Sequence, residues 1–575
     1  MAYTVIHATH EALQKVGGIG AVLEGLISSP VYQKNVDRSF FVGPLLKPDD
    51  EDVLVAQGEV WFSTISGTQT TANANELERV AQRYNVNLIY GLRRFANGAE
   101  AEVLLVDAQD LNPRTSRNFK YNLYRQFGLA SDQYEAIDDY SLYIDTAEAL
   151  YDAVAVLVGE HDGPHIVLAH EYMGVPLALK TLMVNDPRFR AIFYAHEVST
   201  VRNVVEQSAG HDVMFYNAMS IALEQGETLE SVFGDRSAHY RHALVQAASH
   251  CDGVFAVGDQ MLDELKFLGG FDNFPIDLVY NGIPAEKISI EDRVQSRTRL
   301  QAYCEHLLGY APDVIMTHVT RPVVSKGVWR DLLVLQRLDQ ALDERGKQGV
   351  FFILATALGS RNAPDVLQME TEYGWPVVHR AGMPDLVADE VGIWRDVDAF
   401  NRRSVAIKAV FVNQFGWDRK SCGLRMPEEM QFGDLRKGTD VEFGQSIYEP
   451  FGIAVLEPLT YGAICVPSSV CGCCGFLGRI DQAQTKHVVV ADYVSNSNPL
   501  SLIDGLAIDG TRRGQGEGAS AAVVADKLCS QLVWEDSVRE DRLVSGYHLA
   551  KQMSWDCVCE DYFFPGIERA VVRRV

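Results

Sequence analysis

The sequence predicts an α/β fold made of two Rossmann-like, doubly wound domains. Short apolar runs alternate with helix-periodic stretches in two separate series. The first series opens as strand, glycine loop and helix: Tyr3-Thr4-Val5-Ile6-His7-Ala8, then Lys15-Val16-Gly17-Gly18-Ile19-Gly20, then an apolar-periodic stretch from Ala21 to Ile27. At Val279-Tyr280-Asn281-Gly282-Ile283-Pro284 a strand runs into an Asn-Gly turn and a proline, which marks the boundary between the series. The expected division is 1–285, 286–540 and a helical tail over 541–575, whose expected place is against the N-terminal domain.

Each element follows in order. After the opening unit, strands are expected at Arg38–Val42, Val86–Tyr90, Ala101–Val106, His165–Ala169, Ala191–Ala195 and Gly253–Val257, with helices at Asp138–Leu157 and Ser237–Ser249. Residues 45–80 give no assignment. The second series is expected to run through Val314–Thr320, Val350–Ala355, Val377–Val378, a long helix about Val397–Phe411, then Ile464–Pro467 and His487–Val490. Gly510 to Ser520, rich in Gly, Arg and Ser, reads as a surface loop, and the chain from Ala521 onward as mostly helical.

A chain of 575 residues is too long for one core. Its 51 basic and 77 acidic residues give a net charge of −26, a field that repels nucleic acid and anionic lipid. A neutral polysaccharide meets no such penalty, and an anionic substrate needs a local basic pocket. No apolar run is long enough to span a bilayer, and the start has no basic-then-apolar leader, so the expected location is the cytoplasm. The 10 cysteines are expected as reduced thiols. Cys471, Cys473 and Cys474 lack the second knuckle of a zinc site and read as packing residues in a turn. No metal or cofactor is expected.

The chemistry concentrates in Glu449-Pro450-Phe451-Gly452-Ile453-Ala454-Val455-Leu456-Glu457. With Pro450 at a first helical position, the two carboxylates fall on one helical face, one at the helix mouth and one deeper. Bare first-turn amides there can hold an anion or sugar hydroxyls, which suits a nucleotide-sugar. Arg321 and Lys326 stand at a strand exit, where open parallel sheets bind ligands, and two cations can neutralise a diphosphate. His196 closes the apolar strand before it, and His170-Glu171 repeats that placement. The loop holding Lys15, Gly17 and Gly18 opens a helix and favours a phosphate.

This ordered set resembles the retaining glycosyltransferases of the GT-B architecture, and among them the animal and fungal glycogen synthases. Lys15-Val16-Gly17-Gly18-Ile19 looks like their N-terminal motif and Phe41-Val42-Gly43-Pro44 like the strand after it. His170-Glu171-Tyr172-Met173 and Tyr194-Ala195-His196 look like their two histidine-bearing strand ends. Phe215-Tyr216-Asn217, Tyr240-Arg241-His242 and Ala247-Ala248-Ser249-His250-Cys251 resemble their helical insert. Asn281-Gly282 matches their Asn-Gly turn, and Ser446-Ile447-Tyr448-Glu449-Pro450-Phe451-Gly452 their nucleotide-sugar motif.

The resemblance implies two domains facing across a cleft, and transfer of glucose from UDP-glucose to the non-reducing end of an α-1,4-glucan with retained configuration. It implies Glu449 beside the transferred glucose, Glu457 on the ribose, Arg321 and Lys326 on the diphosphate, and His196 on the glucose. Phe432 falls where the family stacks an aromatic ring on uracil. Tyr448 and the amides of Phe451, Gly452 and Ile453 complete the donor pocket. Family members from animals and fungi bind glucose-6-phosphate through an arginine-rich helix. The comparable stretch here, from Arg539 through Met553, has no such cluster, so that activation is not expected. A homo-oligomer is the assembly the resemblance suggests. Two alternatives stay open: a retaining transferase of the same architecture acting on a sugar, sugar phosphate or glycerate, and an inactive glucan-binding relative. ADP likewise stays open beside UDP as the donor base.

Overall fold

The computed structural model describes residues 2–15, 17–47, 49–161, 163–271, 274–480, 486–495 and 499–573. Its chain forms two compact units. The first comprises Met1–Val201, Ala222–Gly282 and Trp555–Val575, and the second Arg202–Ile221 and Ile283–Ser554.

In the first unit the strands are β1 (Tyr3–Ala8), β2 (Val36–Pro44), β3 (Gly58–Ser63), β4 (Asn87–Arg94), β5 (Glu100–Asp107), β6 (His165–His170), β7 (Phe189–Ala195), β8 (Gly253–Ala256) and β9 (Ile276–Leu278). Among the described residues they form one sheet in the order β3-β4-β5-β2-β1-β6-β7-β8-β9. From β5 to β9 every pairing is parallel, whereas β3, β4 and β5 pair antiparallel at one edge. β6 and β7 are buried along their whole lengths, which is why they read as continuous apolar runs rather than alternating ones. The chain winds outward in both directions from β1 and β6, so the topological switch point lies between them.

The second unit has β10 (Val314–Val319), β11 (Gly349–Leu354), β12 (Ile407–Val412), β13 (Val441–Gly444) and β14 (Ile464–Pro467). Their order is β12-β11-β10-β13-β14, parallel throughout. The switch point here lies between β10 and β13. On one face Ile315, Val350, Phe352 and Val410 pack with Trp375 and Trp417 into a dry core.

Several sequence expectations are corrected. Val377–Val378 is a turn. The long helix about Val397–Phe411 is two elements, a helix Glu390–Asn401 and then β12, because Ile407–Val412 is the β-branched and aromatic run that completes the sheet. His487–Val490 makes only a single bridge, Val488 to Cys465. Gly510 to Ser520 is the first half of a helix, Gly510–Gln531, rather than a loop. Residues 45–80 contain a helix Asp50–Gln57, the edge strand β3 and the start of a helix Ala74–Tyr84.

Candidate functional site

In the second unit the predicted residues converge on the carboxyl ends of β10 and β13, where a parallel sheet opens its ligand crevice. Beyond β10 the chain passes an exposed Arg321, makes a 3-10 turn over Val324–Lys326 and enters the helix Val328–Asp343 through Gly327. Gly327 sits at φ 61°, and a Cβ there would lie 2.3 Å from the Gln445 carbonyl oxygen, so the close approach of the two loops requires glycine. The loop after β13 is stitched to this turn by its backbone: the Ile447 amide donates to the Ser325 carbonyl at 2.8 Å.

That stitching brings Lys326 to Glu449, 123 positions away in sequence, and its Nζ donates to the carboxylate. The two side chains are only 15% and 20% exposed, so this pair is more than a solvated surface contact. Ser446 Oγ donates to Glu449 Oε2 at 3.5 Å. Behind the loop, the Gly472 amide donates to the Glu449 carbonyl at 3.0 Å. Phe451 is held from the same side, its carbonyl accepting from the Cys473 amide at 2.9 Å and from Cys471 Sγ at 2.8 Å. The cysteine cluster thus packs beneath the loop, its Cys471 and Cys473 thiols raised by burial above the ordinary thiol range. Among the described residues no group of His, Cys, Asp and Glu is arranged to hold a metal ion.

The helical reading of the Glu449 segment needs correcting. The α-helical turn covers only Ile453–Leu456, capped by Gly452 at φ 91°, ψ 58°, and a 3-10 turn continues from Glu457 to Tyr461. Pro450 therefore lies before the cap, and Glu449 is a loop residue held by Lys326 rather than the first of two acids on one helical face. Glu457 is fixed independently. It pairs with Arg436 at 3.2 Å, and Arg436 pairs in turn with the fully buried Glu442 at 3.0 Å. Glu442 also accepts from the Val319 amide at 3.0 Å, which ties the arrangement to β10. Glu457 keeps 31% exposure and can accept hydroxyl protons. Phe432, at 44% exposure, opens the helix Phe432–Gly438 four residues before Arg436 and therefore shares its face. Tyr448 is buried in the same loop.

In the first unit His196 follows β7 at the switch-point side of the sheet. Glu171 follows β6 at φ 61°, and its carboxylate accepts from the amides of His196 and Glu197. Desolvation, and then the neighbouring Glu197, push the Glu171 carboxyl well above the ordinary carboxylate range. The glycine loop differs from expectation. The buried carboxylate of Glu11 accepts from the amides of Gly17 at 2.7 Å and Gly20 at 3.0 Å, so the chain's own side chain already occupies this helix start. Lys15 pairs with Glu24 at 3.3 Å on the surface. Gly18 is exposed with open space where a Cβ would stand, and Val16 lies outside the described residues.

Sequence reasoning missed Glu11, Arg436 and Glu442, and named Ser446 only as part of the motif, without its bond to Glu449. A carboxylate six residues before Gly17 carries no local signal. Arg436 becomes meaningful only once β13 places Glu442 beside it.

One recess in the second unit lies apart from these strand ends. Its volume is about 390 Å³, and Arg293, Arg297, Lys347, Trp534 and Arg539 contribute to its lining. Arg293 donates to the carbonyls of Lys437 at 2.9 Å and Thr439 at 3.1 Å, and Arg297 pairs with Asp440, so these cations already serve the scaffold.

No family model of a known protein family matches the chain, and no curated protein matches it. Solved structures do. The Escherichia coli trehalose-6-phosphate protein bound with UDP-2-fluoro glucose is 12% identical, with a TM-score of 0.50 over 98% of this chain and 99% of that one. The α,α-trehalose 6-phosphate synthase from Burkholderia multivorans is also 12% identical, with a TM-score of 0.50 over 100% and 98%. The catalytic domain of starch synthase IV from Arabidopsis thaliana bound to ADP and acarbose is 13% identical, with a TM-score of 0.48 over 96% and 99%. The likeness to the first two is one of fold: an α/β fold with parallel sheets that matches GT-B glycosyltransferases.

Proposed function

We propose that this chain is a retaining glycosyltransferase that takes glucose from UDP-glucose and adds it to the non-reducing end of an α-1,4-glucan. The observation that carries the reading is the Lys326–Glu449 pair at the β10/β13 switch point, with Arg321 on the same loop after β10. A nucleotide-sugar needs cations for its diphosphate, a carboxylate for its ribose and an apolar face for its base. This one strand edge offers Arg321 and Lys326, Glu457 and Phe432 in those capacities. Arg321 supplies a planar fork and Lys326 a point charge, and both stabilise the negative charge that grows on the leaving nucleotide.

Glu449 is the carboxylate assigned to the anomeric carbon. As the sugar–phosphate bond lengthens, positive charge develops on the ring, and a carboxylate within reach stabilises it. Lys326 holds the Glu449 side chain in place and can share its charge with the diphosphate of the donor. His196 is assigned to a sugar hydroxyl. UDP and the glucan acceptor rest on the resemblance of the Ser446–Gly452 motif. The net charge of −26 is compatible with a neutral glucan and unfavourable for a polyanionic one. A glycosyltransferase of the same fold bound with UDP-2-fluoro glucose lends the donor class further support.

The test is incubation with labelled UDP-glucose and either glycogen or a panel of small sugars, sugar phosphates and glycerate. Label in glycogen with retained α configuration is expected. Label only in a small product would replace the acceptor and leave the donor site standing. No label in any product would overturn the reading.

A further inference from the structure

The buried interior behind His196 holds a line of hydrogen bonds that neither the donor site nor the sheet requires. His196 Nε2 meets His170 Nδ1 at 2.8 Å, and His170 Nε2 meets His7 Nδ1 at 2.9 Å. His7 Nε2 meets Tyr32 Oη at 2.9 Å, and Tyr32 Oη meets Ser39 Oγ at 3.0 Å. Each separation is a normal hydrogen-bond length. The line crosses the switch point: His7 stands on β1, His170 ends β6, His196 follows β7, and Ser39 lies half-buried on β2. The His170 and His196 rings lie 5.1 Å apart and 6° from parallel, and Tyr194 packs against both.

Burial keeps these rings neutral. Desolvation, and then its like-charged neighbours, push His170 well below the ordinary histidine range, and His7 and His196 are each pushed down to about 3. A neutral imidazole carries one N–H and one bare nitrogen. Each contact in the line needs one proton between its two atoms, because two would clash and none would repel. Only two arrangements meet that condition. Either all three rings carry the proton on Nε2 and Tyr32 donates to Ser39, or all three carry it on Nδ1 and Ser39 donates to Tyr32. In the first, His196 Nδ1 is a bare acceptor, and in the second it is a donor.

We propose that His7, His170 and Tyr32 are positioning residues which lock the three histidines into one shared tautomer and so set whether His196 Nδ1 offers a lone pair or a proton to its ligand. Interconversion conserves protons. One enters at His196 Nδ1, and each ring passes its Nε2 proton to the next. The His7 proton reaches Tyr32, whose hydroxyl proton moves to Ser39, and Ser39 releases one to solvent. The inference rests on the reading of His196 as a sugar-binding residue for its purpose, but the geometry stands without it.

The test is nitrogen NMR of the full chain labelled with ¹⁵N-histidine. Resonances of the three are assigned by single substitutions among the 15 histidines. At neutral pH all three rings are expected neutral and protonated on the same nitrogen. In Tyr32→Phe, which removes the acceptor for the His7 Nε2 proton, all three are expected as the Nδ1–H form. A bare buried nitrogen costs less than an orphaned donor. Unlike tautomers within either protein, a charged ring at neutral pH, or Nε2–H in Tyr32→Phe would overturn the proposal. If Tyr32→Phe does not fold, the wild-type spectrum alone decides. No turnover is measured, so a failed glycosyl-transfer assay and a failed tautomer lock are read separately.

Discussion

Lys326, Glu449, Arg436 and Glu457 divide the labour of the second unit between two ion-pair systems. Lys326 meets the acid assigned to the sugar, and Arg436 braces the acid assigned to the ribose from behind. Arg436 also neutralises Glu442, whose side chain is fully buried. Arg436→Met keeps the length of the side chain and removes the charge, leaving a buried carboxylate without its cation. Such a loss typically costs about 3–5 kcal/mol. Chemical denaturation of the variant is expected to show it as a lower midpoint with an unchanged slope, and an unchanged midpoint would remove Arg436 from this bracing role. The placement of Arg321 and Lys326 at a strand exit was legible in the sequence because the apolar run of β10 and Gly327 punctuate it, whereas Glu449 was singled out with the wrong local setting. Arg436 and Glu11 were not legible. Their partners are brought to them only by the sheet and by the turn of the glycine loop.

Elements were legible where one force dominated. The buried parallel strands β6, β7, β10 and β11 announce themselves as apolar runs because both faces are covered. Reading failed where tertiary packing overrode local preference. Gly510–Gln531 is helical despite Gly514, Gly516 and Gly518. It buries Ala521, Val524, Ala525 and Leu528, and its Glu517 accepts from Arg330 Nε at 2.9 Å, which fastens it to the helix Val328–Asp343. Gly516 is exposed, with nothing within 4 Å of where a Cβ would stand. Gly516→Ala is therefore expected to raise stability by roughly 0.5–1 kcal/mol, seen as a higher urea midpoint. A lower midpoint would mean that the helix is not regular at that point. The Glu449 segment misled in the opposite sense. Its proline suggested a helix start, but Gly452 in a left-handed conformation delays the helix and leaves Glu449 in a loop, where Lys326 can reach it.

At the scale of the whole molecule, the chain crosses between its two units more than once. Its last segment, Trp555–Val575, belongs to the first unit. There Val558, Phe563, Phe564 and Ile567 are buried, with Phe563 and Phe564 packed against Tyr32. Exposing such a side chain costs roughly 1.5–3 kcal/mol, so losing four approaches the whole net stability of a domain, about 5–15 kcal/mol. A chain ended at Ser554 is expected to lose the cooperative calorimetric transition of the first unit. An unchanged transition would show that the segment is dispensable. The same segment packs against Tyr32, so the tautomer lock depends on a contact between residues far apart in sequence.

The β10/β13 edge is proposed to bind a nucleotide-sugar through Arg321 and Lys326. Calorimetric titration of UDP-glucose and ADP-glucose into the wild-type chain and into an Arg321→Ala, Lys326→Ala double variant tests it most directly. Saturable binding of UDP-glucose to the wild type is expected, weakened at least about tenfold in the variant, since each charge-assisted bond contributes roughly 1.5–3 kcal/mol. Absence of binding by either nucleotide-sugar, or equal affinity in both proteins, would contradict it.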